Sequence, residues 1–131
     1  MYVVHRTEEV MKFKEGVPIY LQLTQDIANK ILAGHYLAGQ RIESVREMAL
    51  IYGVNPNTVQ KSLTLAEQQG LVFAQGAEGR FVTKDESYIE LLKQQTIERE
   101  VYEFVSNMKQ LGFNKHQIIK ELQKGGQSDE H

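Results

Sequence analysis

Apolar residues in this chain fall into stretches of helical period, each ended by a glycine. Ile19, Leu23, Ile27 and Ile31 recur every fourth residue, with Ala28 and Leu32 alongside. That spacing predicts a helix with one apolar face, stopping near Gly34. Pro18 suits its first turn, where a missing N–H is no loss. Residues 35–44 lose the period and predict a connector with a short strand at Gln40–Ile42. In Ser44-Val45-Arg46-Glu47 the serine hydroxyl can accept from the Glu47 N–H while the glutamate reaches back to the serine N–H. A short helix is expected from there to about Ile51, with Val45, Met48 and Ala49 inward. Gly53 supplies the positive φ that a tight turn after it needs.

Asn55 and Pro56 then fit an N-cap and a first helical residue. The helix they start is expected to reach about Gln69, before Gly70. On a helical wheel, Leu63 and Ala66 lie within about 40° of Val59 and form the buried stripe. Asn57, Gln60, Lys61 and Thr64 lie about 100–200° away, so the opposite face is a set of hydrogen-bonding side chains. Leu71–Ala74 and Arg80–Thr83 read as two short strands joined by the glycine-bounded loop QGAEG. A hairpin directly after two helices joined by a tight turn is the wing of a winged helix.

A long helix is expected from Asp85, carrying Ile89 and Leu92 and then the stripe Ile97, Val101, Phe104, Val105, Met108 and Leu111. Gly112 ends it, and Asn114 caps a short last helix bearing Ile118, Ile119 and Leu122. The tail at 125–131 is polar and glycine-rich and is expected to be disordered. Residues 1–16 carry no clear period. The fold class is therefore mainly α with a small β-hairpin, arranged as an extension (1–16), a winged helix-turn-helix (17–84), a two-helix region (85–124) and a tail (125–131).

Composition narrows the function. There is no cysteine among the 131 residues, which removes disulfides and thiolate metal sites. The four histidines, His5, His35, His116 and His131, have no ligand spacing. No Ser/His/Asp set, phosphate-binding glycine loop or paired-acid motif occurs, so neither an enzyme nor a cofactor is expected. With no apolar run of membrane-spanning length and no secretory signal, a cytoplasmic protein is expected. Net charge is −2; residues 1–84 carry nine Lys or Arg against eight Asp or Glu, and residues 85–131 carry six against nine. Charge permits nucleic-acid binding without announcing it.

The order of features is similar to that of GntR-family transcriptional regulators. The resemblance rests on PIYLQL at 18–23, ILAGHYLAG at 31–39, SVREMA at 44–49, GVNPNTVQKSL at 53–63, QGLV at 69–72 and GRFV at 79–82. The short C-terminal part resembles the YtrA-type subfamily, and this resemblance implies a helical dimerisation region there. Ala38 and Glu43 stand where the family usually has proline, and Ala77 where its wing often has a first glycine. Losing the prolines should loosen the connector, and Glu43 sets an anion beside Ser44.

The resemblance implies a DNA-binding transcriptional regulator, most simply a repressor, acting as a homodimer on a pseudo-palindromic operator. An ordinary amphipathic core helix would give the same wheel as residues 56–69. What sets this one apart is the capped helix before it, the Asn-Pro start and the wing after it. Asn and Gln can pair bidentately with adenine, and a threonine methyl can meet a thymine methyl. Asn57, Gln60, Lys61 and Thr64 are thus expected in the major groove, over A·T pairs. Ser44, Arg46, Asn55 and Thr58 are expected at phosphates, through side chains and helix N-terminal N–H groups. Gly79 and Arg80 are expected to reach DNA from the wing. Ile97, Val101, Phe104, Val105, Met108 and Leu111 are expected at a dimer seam, since little else in the chain can cover them. A winged-helix module that binds protein and not DNA is the alternative. With no ligand-sized domain, an effector of unknown identity is left the dimer seam or the junction near residue 85.

Overall fold

The structure is a computed structural model that describes residues 11–128. The expected extension at 1–16 lies mostly outside them. The chain forms two compact units, one up to Glu90 and one from Leu91 onward. The first contains α1 (Ile19–Leu32), α2 (Val45–Tyr52), α3 (Pro56–Gln68), β1 (Val72–Ala74), β2 (Arg80–Val82) and the start of α4 (Glu86–Gln110). The second contains the rest of α4 and α5 (Lys115–Ser128).

Local chemistry sets the helix ends. Pro18 is the N-cap of α1, one place earlier than the first-turn position expected for it. Ser44 and Glu47 form both halves of the reciprocal cap, with Glu47 N to Ser44 Oγ at 3.1 Å and Ser44 N to Glu47 Oε1 at 2.8 Å. Gly53 ends α2 at φ +67°, donating its N–H to the Ala49 carbonyl. Asn55 caps α3, its side-chain oxygen accepting from Asn57 N at 2.7 Å.

The core of the first unit lies where α1 and α2 pack on α3. Leu23, Ile27, Ile31, Met48, Val59 and Leu63 are essentially solvent-free there. Ile19 was expected to open the buried face of α1 but is 43% exposed, because that face starts one turn later. In α2, Met48 is buried as expected; Tyr52, expected in the turn, is buried too, while Val45 and Ala49 are only half-buried. The Tyr52 hydroxyl donates to Asp26 Oδ2 and accepts from Lys30 Nζ, each at 2.8 Å, tying α2 to α1.

Two hydroxyls also sit in this core. Thr24 and Ser62 are at most 2% exposed, and their oxygens are 2.8 Å apart. Thr24 Oγ1 also lies 2.6 Å from the Tyr20 carbonyl. Neither hydroxyl is stranded, as burial requires.

Strands β1 and β2 pair antiparallel, Val72 with Val82, Phe73 with Phe81 and Ala74 with Arg80. A 3₁₀ turn at Gly76–Glu78 closes the hairpin. The expected strand at Gln40–Ile42 is a single bridge, Arg41 to Phe81, flanked by Ile42 N to Arg80 O and Val82 N to Gln40 O. The connector is therefore tied to β2 at residues 40–42. Tyr36 is buried in it and donates to Glu43 Oε1 at 2.6 Å.

Asp85 caps α4, accepting from Tyr88 N at 3.0 Å. The Tyr88 hydroxyl donates to the Gln69 carbonyl at 2.6 Å, and a side chain at Gly70 would meet the Tyr88 ring at 3.5 Å. In the second unit, Gly112 at φ +90° ends the turn after α4, and Asn114 and Gln117 cap α5 reciprocally. The last helix is longer than expected. It continues through Gly125 to Ser128, where the sequence predicts a disordered tail, and the final three residues lie outside the described part.

The contrast between buried and exposed leucines gives a test. Leu63→Ala should lower unfolding free energy by about 2–5 kcal/mol, through lost burial and a cavity. Leu50 is 80% exposed, and Leu50→Ala should stay within about 0.5 kcal/mol of the parent. Urea unfolding followed by circular dichroism measures both.

Candidate nucleic-acid interface

Because Val59, Ser62, Leu63 and Ala66 are buried, α3 has one possible outer face. Asn57, Gln60, Lys61 and Thr64 are all exposed on it. Gln60 and Thr64 are neighbours one turn apart, with Gln60 Nε2 3.5 Å from Thr64 Oγ1, too long to hold either in place. Lys61 is more restrained: its ammonium lies 4.2 Å from the centre of the Tyr20 ring on α1. Ile19, Tyr20, Asn57, Thr58 and Lys61 line an open depression at this edge of the helix.

The N-terminus of α3 offers less than the sequence suggests. Pro56 has no N–H, and Asn57 N is taken by the Asn55 side chain. Thr58 N and Val59 N both donate to the Asn55 carbonyl, at 2.9 and 3.2 Å. Of the N–H groups expected to grip a phosphate, that of Thr58 is therefore engaged, while that of Asn55 itself makes no hydrogen bond among the described residues. The Asn55 side-chain NH₂ and the Thr58 hydroxyl remain as donors.

At α2 the balance differs. The Ser44 N–H, also expected at a phosphate, is committed to Glu47. The N–H groups of Val45 and Arg46 make no hydrogen bond among the described residues. Arg46 is exposed and makes no ion pair among the described residues. Its two glutamate neighbours are engaged elsewhere, Glu47 in the cap and Glu43 with Tyr36. The first turn of α2 thus gathers the Ser44 hydroxyl, two amides and a guanidinium.

In the wing, Arg80 is not a free cation. Its Nε lies 2.8 Å from Glu67 Oε2 on α3, with both side chains mostly covered. This pair ties β2 to α3. Gly79, at φ +107°, leaves room for Arg41: a Cβ there would come within 3.1 Å of Arg41 Nε. Sequence reasoning missed Arg41, which is exposed and whose Nε–H donates to the Glu78 carbonyl at 3.0 Å. The available signal was the short strand at Gln40–Ile42, whose pairing with β2 brings residue 41 to the hairpin.

Residues 19–82 match the family of bacterial regulatory proteins, gntR family. The chain is 36% identical to the uncharacterized HTH-type transcriptional regulator YhcF of Bacillus subtilis (strain 168), over 88% of this chain and 98% of that protein. It is 29% identical to the HTH-type transcriptional repressor YtrA of the same strain, over 85% and 81%. Among solved structures, a GntR family transcriptional regulator from Listeria monocytogenes superposes with a TM-score of 0.80 at 34% identity, over 86% of this chain and 98% of that one. AraR(DBD) in complex with operator ORX1 superposes with a TM-score of 0.53 at 27% identity, over 56% and 94%. The chain belongs to the gntR family of bacterial regulatory proteins, alongside YhcF and the YtrA-type regulators.

Proposed function

We propose that this protein is a cytoplasmic, homodimeric repressor that binds a pseudo-palindromic DNA operator. The observation that carries the reading is the outer face of α3, where four exposed hydrogen-bonding side chains stand on a helix whose rotation the core fixes. Asn57, Gln60 and Thr64 suit base edges at A·T pairs, and Lys61 adds charge from beside Tyr20. Ser44, Arg46 and the first amides of α2 grip a phosphate next to that groove. The operator complex of AraR supports a DNA role for this fold, and the repressor name of YtrA supports the direction of control.

The seam of the dimer runs along α4. Ile97, Val101 and Phe104 are exposed along it, Leu111 just beyond it is 75% exposed, and Val105 and Met108 are half-covered. So long an apolar stripe beside water favours a second copy. Two-fold symmetry would then set two α3 helices in successive major grooves, roughly 34 Å apart. Repression follows by competition with polymerase for the site.

Selection from a random duplex pool should return inverted half-sites with A·T pairs at the positions that α3 reads. Half-sites that tolerate G·C throughout would overturn that assignment. Binding should weaken steeply with salt, and an Arg46→Ala/Lys61→Ala double variant should lower the slope of log K against log salt by up to about 2. Binding that ignores salt would point back to a protein partner. Val101→Glu/Phe104→Glu should sediment as a folded monomer and lose the paired-half-site advantage.

A further inference from the structure

The winged unit presents two arginines close to the hairpin, and they are in opposite electrostatic states. Arg80 is neutralised by Glu67 at 2.8 Å and is mostly covered. Its charge is used inside the protein, and freeing it would leave a part-buried carboxylate without its partner. Arg41 is exposed, and among the described residues no carboxylate pairs with it.

Arg41 is nevertheless not adrift. Its Nε–H is held by the Glu78 carbonyl, its backbone bridges Phe81 of β2, and Gly79 leaves a clear path for the side chain. A guanidinium has five donors in a flat fork. With Nε used on the protein side, the two terminal nitrogens are left as the pair able to engage phosphate oxygens bidentately. The anchor is a neutral carbonyl, so full positive charge is kept at the hairpin.

We propose that Arg41, and not Arg80, is the cation through which the wing contacts DNA, and that its ligand is the phosphate backbone flanking the half-site. The assignment rests on the operator-binding reading. It also gives Arg80 a different task, bracing the wing on α3. Glu78, exposed at the hairpin turn, contributes its carbonyl to the anchor and its carboxylate as an opposing charge.

The test compares single variants of the full chain on a selected operator duplex. Arg41→Ala should lower the salt slope by about 1, so that its affinity falls about fourfold less than the parent's between roughly 50 and 200 mM salt. The loss should be uniform across half-site sequences, and its melting temperature should stay near the parent's. Arg41→Lys, which keeps the charge, should restore most of the slope. Arg80→Ala should melt earlier yet keep the parent slope wherever it is folded. A parent slope in Arg41→Ala, or a reduced slope in folded Arg80→Ala alone, would overturn the assignment. A parent protein that selects no duplex would remove the operator reading itself, an outcome distinct from both.

Discussion

The outer face of this winged unit depends on the packing of α1 on α3, and within that packing two buried hydroxyls meet. Thr24 and Ser62 meet at 2.8 Å among Leu23, Ile27, Val59 and Leu63. Small side chains let the helices approach closely, and a buried hydroxyl needs its partner at a defined distance and direction. Apolar packing alone would accept small rotations of α3 about its axis; a hydrogen bond between two fixed positions accepts far fewer. Since Ser62 adjoins both Lys61 and Leu63, the pair that sets the rotation also decides which side chains face outward.

Charge is distributed by a related logic. Most acids of the winged unit have internal tasks: Glu47 in a cap, Glu43 with Tyr36, Asp26 with Lys30 and Tyr52, Glu67 with Arg80. Arg41, Arg46 and Lys61 make no ion pair among the described residues. Formal charge near zero therefore describes the unit poorly as a DNA partner. What an approaching phosphate meets is the subset of charges without a neighbour of opposite sign.

The parts legible in the sequence were those settled by near neighbours. The Ser44/Glu47 cap, the Asn114 cap, the Asn55-Pro56 start and the stripe of Val59, Leu63 and Ala66 all depend on residues within a turn or two. The illegible parts were settled across the fold. A serine amid apolar residues looks polar until Thr24 lies opposite it, and Arg80 looks free until β2 is set beside Glu67. The amides of α3 look available until the Asn55 carbonyl and side chain are seen to take three of them. Periodicity marked the apolar residues of α1 correctly in kind but could not say that Ile19 lies beyond the packed region. Gly125 within α5 runs against its propensity cost of about 1 kcal/mol, which is why a tail was expected there.

Asn57, Gln60 and Thr64 are exposed, and their side chains hold nothing in the core. Ser62, two residues from both Gln60 and Thr64, is committed to Thr24. Variation at the outer three can therefore proceed with little effect on folding. Descendants of such a protein could drift from one binding sequence to another by single substitutions, each folded and each testable by selection. The division lies within a single helix, one side free to diverge and the other held.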